Sequence, residues 1–288
     1  MKKTILILSI MTLFFAGCRK DDVFKEGDVF YNGIAPGIAP VEPIYPEAYP
    51  DYEYVVKNIL LENYVGVRCP NCPDANELAI QIQDECPFNV IVLGVHAGVF
   101  SIPIGGYPDF ETTEGDEWYN IFGFDCNPIG TVNRKMFNGD SYGCMSSEWE
   151  ENIAKAFQGE AALAMSSTIE YNEATRKLKV DITSEFVAEL PDTYSLTVCI
   201  KEDNIIGKQL TPEGNVDDYV HRHVFRTTMN GAWGEIINNT AIAPGDVIKK
   251  SYTTTLDTAY NADQCYIIAY VSNSDTKEIL QVIEKKIK

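Results

Sequence analysis

The sequence predicts an α/β unit followed by an all-β unit, and three observations carry that expectation. An apolar strand runs into a Cys-x-x-Cys pair and an amphipathic helix, with a second strand behind it. The second half turns to short alternating apolar runs punctuated by turn residues. A proline-rich stretch without periodicity separates both units from an apolar leader.

The leader comes first. Lys2 and Lys3 precede an apolar run from Thr4 to Phe15, which closes on Ala16 and Gly17 before Cys18. About a dozen apolar residues are too few to span a bilayer, which takes about 20, and the charged Arg19-Lys20-Asp21-Asp22 follows at once. The layout is that of a cleaved export signal over residues 1–17. Phe15-Ala16-Gly17-Cys18 resembles a lipobox, with Phe15 where Leu is usual, so Cys18 is expected to carry the lipid. Several acyl chains would anchor the chain stably. Lys20-Asp21-Asp22 resembles the tag of surface lipoproteins, which places the expected face outside the cell.

Residues 18–50 hold Pro36, Pro40, Pro43, Pro46 and Pro50 and read as a tether. Folded structure is expected from near Tyr52, with a first domain over 51–160. Its strand Ile59 to Val65 leads to Cys69-Pro70-Asn71-Cys72, and Ala75, Leu78, Ala79, Ile82 and Cys86 then recur at helical spacing. The second strand is Asn89 to Val95. A CxxC between a strand and a helix reads as thioredoxin-like. At a helix start, unpaired N–H groups and the helix dipole would favour a Cys69 thiolate, with Cys72 placed to resolve a mixed disulfide and Arg68 adding a cation. A cis proline is expected to face such a pair, and Pro128 is the candidate, ahead of a strand within Ile129 to Phe137 and a turn at Asn138-Gly139. A helix from Ser147 to Phe157, capped by Ser146 or Ser147, closes the unit. Thioredoxins carry Trp before the first Cys and a buried Asp six residues earlier; this chain has Arg68 and Asn63, with Glu62 one position away. The pair therefore reads either as a structural disulfide, as a redox couple, or as part of a metal site. The absence of a second CxxC argues against zinc.

Between His96 and Cys126 lies an insertion whose aromatics include Tyr107, Phe110, Trp118 and Tyr119. Exposed, they would stack on sugars or peptide side chains; folded inward, they would form a local core. From about residue 161 to 288, runs such as Leu178-Val180-Ile182, Leu196-Val198-Ile200 and Tyr266-Ile268-Tyr270 predict an antiparallel β-sandwich. His221 and His223, two apart, would share a strand face. Two histidines alone are a weak metal signal, so packing and hydrogen bonding at the domain interface is the favoured use, and no metal or cofactor is assigned.

The eight cysteines leave an odd number once Cys18 is lipidated, so at least one has no partner within the chain. Disulfides persist outside the cytoplasm; Cys199 with Cys265 is the expected second bridge, and Cys126 with Cys144 a further one. The net charge of -19 becomes more acidic once Lys2 and Lys3 leave with the leader. Such a surface repels phosphate backbones, which argues against nucleic acid as a partner.

Taken in order, the lipobox, Glu62-Asn63-Tyr64-Val65-Gly66 before the CxxC, the segment from Pro128 to Asn133-Arg134, and Tyr219-Val220-His221-Arg222-His223-Val224-Phe225-Arg226 resemble the outer-membrane-protein-28-related lipoprotein family. The resemblance implies a thioredoxin-like domain followed by a β-rich domain at the outer membrane. It implies no particular reaction. By analogy with surface accessories of TonB-dependent importers, the leading expectation is a non-catalytic binding subunit for oligopeptides or glycans. A thiol–disulfide oxidoreductase using Cys69 and Cys72 is the second expectation, and an adhesin or structural protein the third. An outward-facing oxidoreductase would lack an obvious electron source.

Overall fold

The computed structural model describes residues 55–86, 89–137 and 139–288. Cys18, the tether and Asn138 of the expected turn lie outside the described residues. The chain is mostly β, with several sheets.

The first elements follow the sequence pattern. Strand β1 (Ile59–Val65) leads to helix α1 (Cys72–Glu85), and β2 (Val90–His96) returns parallel to β1. Helix α2 (Thr113–Ile121) lies in the insertion, with the Thr112 hydroxyl accepting from the Gly115 N–H at its start. Strand β3 (Ile129–Val132) pairs antiparallel with β1, and α3 (Trp149–Phe157) follows. Neither Ser146 nor Ser147 caps α3. A short 3-10 turn over Ser146–Glu148 precedes it instead, and there Glu148 accepts from the Met145 N–H.

The second half is built from β4 (Leu163–Asn172), β5 (Lys177–Phe186), β6 (Tyr194–Glu202), β7 (Ile205–Thr211), β8 (Gly214–His221) and β9 (Val224–Thr228). It continues with β10 (Glu235–Ile236), β11 (Val247–Thr255), β12 (Cys265–Asn273) and β13 (Ile279–Lys286). One eight-stranded sheet runs β13-β12-β6-β9-β2-β1-β3, with β10 also on β6; β11-β5-β4 and β7-β8 form separate sheets.

That order joins strands from both sides of the expected boundary at residue 161. The seam is β9, antiparallel to β6 and parallel to β2, where the Gly94 N–H donates to the His223 carbonyl at 2.7 Å. Gly94 suits this approach, since a Cβ would stand 3.3 Å from that carbonyl oxygen.

Three apolar layers follow from side-chain alternation. Ile59 and Leu61 of β1, with Val90 and Val92 of β2, pack under Ala75, Ala79 and Ile82 of α1 and Trp149 and Ile153 of α3. On the opposite face Leu60, Tyr64, Ile91, Leu93 and Val95 meet Trp118, Tyr119, Phe122 and Phe124, and the layer continues to Phe225, Ile268 and Tyr270. The third layer joins Leu178, Val180 and Ile182 of β5 to Leu196, Val198 and Ile200 of β6 and Ile267 and Ala269 of β12. This is the sheet-on-sheet packing of a sandwich. Each fully buried aliphatic side chain contributes about 1.5–3 kcal/mol, so these layers supply the main drive for folding.

The expected Cys199–Cys265 bridge is absent, as neither cysteine is in a disulfide. In the β6–β12 ladder Cys199 lies opposite Ile268 and Cys265 opposite Glu202, an odd offset of three positions. Their side chains therefore enter opposite faces of the sheet, Cys199 in the layer of Ile268 and Cys265 in that of Ile267. Cys126 and Cys144 are not bridged either; one is exposed and the other buried against Gly130.

Candidate functional site: a covered disulfide

The chain leaves β1 through Gly66, where a Cβ would collide with the backbone of Phe100, and reaches Cys69 within a turn closed by the Cys69 N–H on the Gly66 carbonyl at 3.1 Å. Cys69 and Cys72 form a disulfide with their Cα atoms 5.4 Å apart. Helix α1 starts at Cys72, not at Cys69. Asn71 precedes it without a side-chain cap, and Pro73 sits in the first turn, where its missing N–H has no helical partner to lose. Arg68 does not serve as a cation for a thiolate. Its Nε donates to the Ile102 carbonyl at 3.0 Å and its Nη2 to that of Val99, which ties down the loop after β2. The Asn127–Pro128 peptide bond is cis, and Asn127 Nδ2 donates to the Ala97 carbonyl at 3.3 Å.

Cys69 and Cys72 are each only 1% exposed. The cover is the β7–β8 hairpin, contributed from far along the chain. Gln209 Nε2 lies 3.2 Å from the carbonyl oxygens of both Gly66 and Cys69, and the Leu210 N–H donates to the Val67 carbonyl at 2.9 Å. A register shift between Gly207 and Gln209 leaves Lys208 without a cross-strand partner, and Gln209 is buried. Gly207 abuts Pro108, Tyr107 donates its hydroxyl proton to Asn215 Oδ1, and Lys208 Nζ stands 4.9 Å from the Tyr107 ring.

Behind the disulfide, Asn63 Nδ2 donates to Asn76 Oδ1 at 2.9 Å, and Asn76 Nδ2 donates to the Tyr219 hydroxyl at 3.4 Å. Asn63 Oδ1 is buried without a hydrogen-bond partner and lines a small crevice with Asn76, Tyr219, Arg222 and His223. Glu62 cannot serve as a proton carrier for the cysteines. It faces the other side of β1 and accepts from Arg134 Nη2 at 2.6 Å, Arg134 Nε at 2.8 Å and Thr131 Oγ1 at 2.7 Å. The Arg134 guanidinium also lies 4.8 Å from the Trp118 ring and donates to the Tyr270 hydroxyl at 3.0 Å.

The four insertion aromatics do not form an open contact surface. Phe110, Trp118 and Tyr119 are buried, Trp118 donating to the Ala232 carbonyl at 2.7 Å, and Tyr107 is half-buried beneath the hairpin. Of the two readings of this loop, the inward-folded one describes it: Phe110 packs with Val67 and Val224, and Trp118 with Val95 and Phe225. The large apolar side chains this insertion does expose are Val99, Phe100, Ile102, Ile104 and Ile121.

His221 and His223 do not share a face. His223 has a left-handed backbone, with φ 59°, and its Nδ1 lies 3.4 Å from Lys201 Nζ and 3.5 Å from Asp203 Oδ1. His221 instead stacks edge-on to Phe110 at 4.9 Å, with His96 beyond it at 6.0 Å. Burial pushes the His221 pKa down to about 4 and that of His223 to about 3, the latter helped by Lys201, and it holds His96 well below the ordinary value. All three imidazoles are neutral near pH 7. Among the described residues no group of three metal-ligating side chains converges.

Gln209, Asn76 and Tyr219 complete the site, and nothing in the local sequence around them points to the cysteines.

The family model described as outer membrane protein Omp28 matches residues 115–288. Among solved structures the fold resembles HBP35 of Porphyromonas gingivalis, with a TM-score of 0.61 at 17% identity, over 82% of this chain and 77% of that one. A domain of the outer membrane lipoprotein Omp28 from Porphyromonas gingivalis is 22% identical over 44% of this chain and 97% of its own, with a TM-score of 0.32. No curated protein matches the chain significantly. With the match spanning more than half its length, the chain belongs to the Omp28 family of outer membrane proteins.

Proposed function

We infer that this outer-membrane protein is anchored through lipid on Cys18, faces the cell exterior, and acts as a non-catalytic binding or accessory subunit at a TonB-dependent nutrient importer. Oligopeptides or glycans are the proposed cargo. The observation that carries the non-catalytic part is the burial of Cys69 and Cys72 beneath the β7–β8 hairpin, with Gln209 on the Cys69 carbonyl. A thiol–disulfide catalyst needs an accessible attacking sulfur and a path for its proton. Here the sulfurs are enclosed and Glu62 is held by Arg134.

The part from about residue 51 to 160 is read as a thioredoxin-like unit. In support stand the parallel β1-α1-β2 arrangement with the cysteines at its switch end, β3 antiparallel to β1 behind Pro128, and α3 on the face of α1. On this reading the scaffold is inherited and the disulfide ties the end of β1 to the start of α1, while recognition falls to other surfaces.

The test is protease shaving of intact cells combined with purification of the tagged chain from outer membranes. The expected result is loss of the chain on shaving and recovery of an importer barrel with it. Recovery of no importer subunit contradicts the reading.

A further inference from the structure

Among the described residues, the strands of the β7–β8 hairpin pair only with each other. A two-stranded ribbon is marginal alone, so its seat over the cysteines rests on a few contacts. On its body these are Gln209 on the Gly66 and Cys69 carbonyls, Leu210 on Val67, Tyr219 on Asn76, Asn215 and Lys208 on Tyr107, and Gly207 on Pro108, while near the root Ile205 and His221 pack on Phe110. The cross-strand partners Ile206 and Val220 are 70% and 45% exposed, so this part of the ribbon buries little apolar surface. At the root, residues with left-handed backbones stand on either side: Asn204 with φ 58° and His223 with φ 59°. The two ends are fastened to each other there, the His223 N–H donating to Asp203 Oδ1 at 2.5 Å. The hairpin thus has a fixed base, two bends, and a lightly held body.

We propose that this hairpin is a hinged cover over the Cys69–Cys72 disulfide, and that its lifting, without unfolding of the sheets, decides when the disulfide can react with a thiol. The chemistry beneath it is ordinary exchange with a dithiol. One reagent thiolate attacks a cysteine sulfur, a mixed disulfide forms, and the other cysteine leaves as a thiolate that takes up a proton. The second reagent thiol then closes its own ring, so the dithiol is oxidised and both cysteines end as thiols. The attack needs the buried sulfur exposed, and the hairpin is seated on the turn that carries Cys69, so its local opening uncovers that turn.

The test uses the full chain and dithiothreitol, with quenched alkylation and mass spectrometry reporting the rate of Cys69–Cys72 reduction, alongside hydrogen exchange at the Leu210 amide. The native chain is expected to be reduced at least tenfold more slowly than the chain unfolded in urea. Gln209→Ala is expected to speed native reduction about tenfold, with a matching rise in Leu210 exchange and no such rise at amides of β6. Equal rates for the native and unfolded chains overturn the proposal, as does a Gln209→Ala chain reduced no faster than the wild type. If that variant does not fold, the wild type decides: Leu210 must exchange through local opening faster than the β6 amides, and exchange only with global unfolding overturns the cover. No importer enters this test, so its outcome is separate from that of the binding role.

Discussion

Glu62 and Arg134 form a fully buried, two-point ion pair, with Nη2 to Oε1 at 2.6 Å and Nε to Oε2 at 2.8 Å. The pair joins β1 to the residue that leaves β3 with φ 50°, and it sits where the aromatic layer of α2 meets β12. A buried pair of this kind costs much in desolvation, and its geometry and extra hydrogen bonds offset that cost. Removing one partner strands the other. Arg134→Met is therefore expected to destabilise the chain by about 3–5 kcal/mol in urea unfolding, and the double variant Glu62→Leu, Arg134→Met by less than either single change. Additive losses contradict this account of the pair.

Stability falls with acid through the buried histidines. His96, His221 and His223 are neutral in the fold with pKa values below the unfolded value, so the unfolded chain binds more protons as pH drops below about 6.5. Their contribution is intact above that pH and is lost progressively toward pH 4 and below. For His221 the loss reaches about 3 kcal/mol once pH has fallen through about 4. Urea midpoints measured from pH 7.5 to 4.5 should decline, and His221→Gln should flatten the decline. An unchanged slope would remove His221 from this explanation.

Alkylation should sort the unbridged cysteines by position. Cys126 is exposed, whereas Cys144, Cys199 and Cys265 are buried, with burial pushing their thiols up, to about 11 for Cys144 and about 12 for Cys265. Iodoacetamide is expected to modify Cys126 in the native chain, and Cys144, Cys199 and Cys265 only on unfolding. Rapid native labelling of Cys199 would contradict its burial beside Tyr270.

Gly130 faces the Trp149 indole, which leaves no room for a Cβ. Gly130→Ala is expected to cost about 1–3 kcal/mol by overpacking between β3 and α3, read as a lowered thermal midpoint. An unchanged midpoint would mean that Trp149 yields easily.

How legible this architecture was depended on range. The β1-α1-β2 unit and the strands of the sandwich were readable because apolar periodicity and the CxxC are local signals. The sheet that joins the two halves was not, because the β2–β9 seam pairs Gly94 with Val224, and no local pattern encodes a pairing so distant in sequence. The same gap hid the hairpin from the site: Gln209 and Cys69 are 140 residues apart. Cys199 and Cys265 both lie in apolar strands as read, but pairing depends on register parity, and an odd offset sends their sulfurs to opposite faces. For Trp118 and Phe110 the sequence left a contact surface and a local core both open, because an aromatic loop and an aromatic core have the same composition.

The central claim is that the chain works by binding and not through its cysteines. The most direct measurement is the yield of importer recovered from outer membranes with the tagged wild type and with the Cys69→Ser, Cys72→Ser variant, each checked for native near-ultraviolet dichroism. The account predicts equal recovery of importer by both. Recovery that vanishes in the folded variant, or is absent with the wild type, would contradict it.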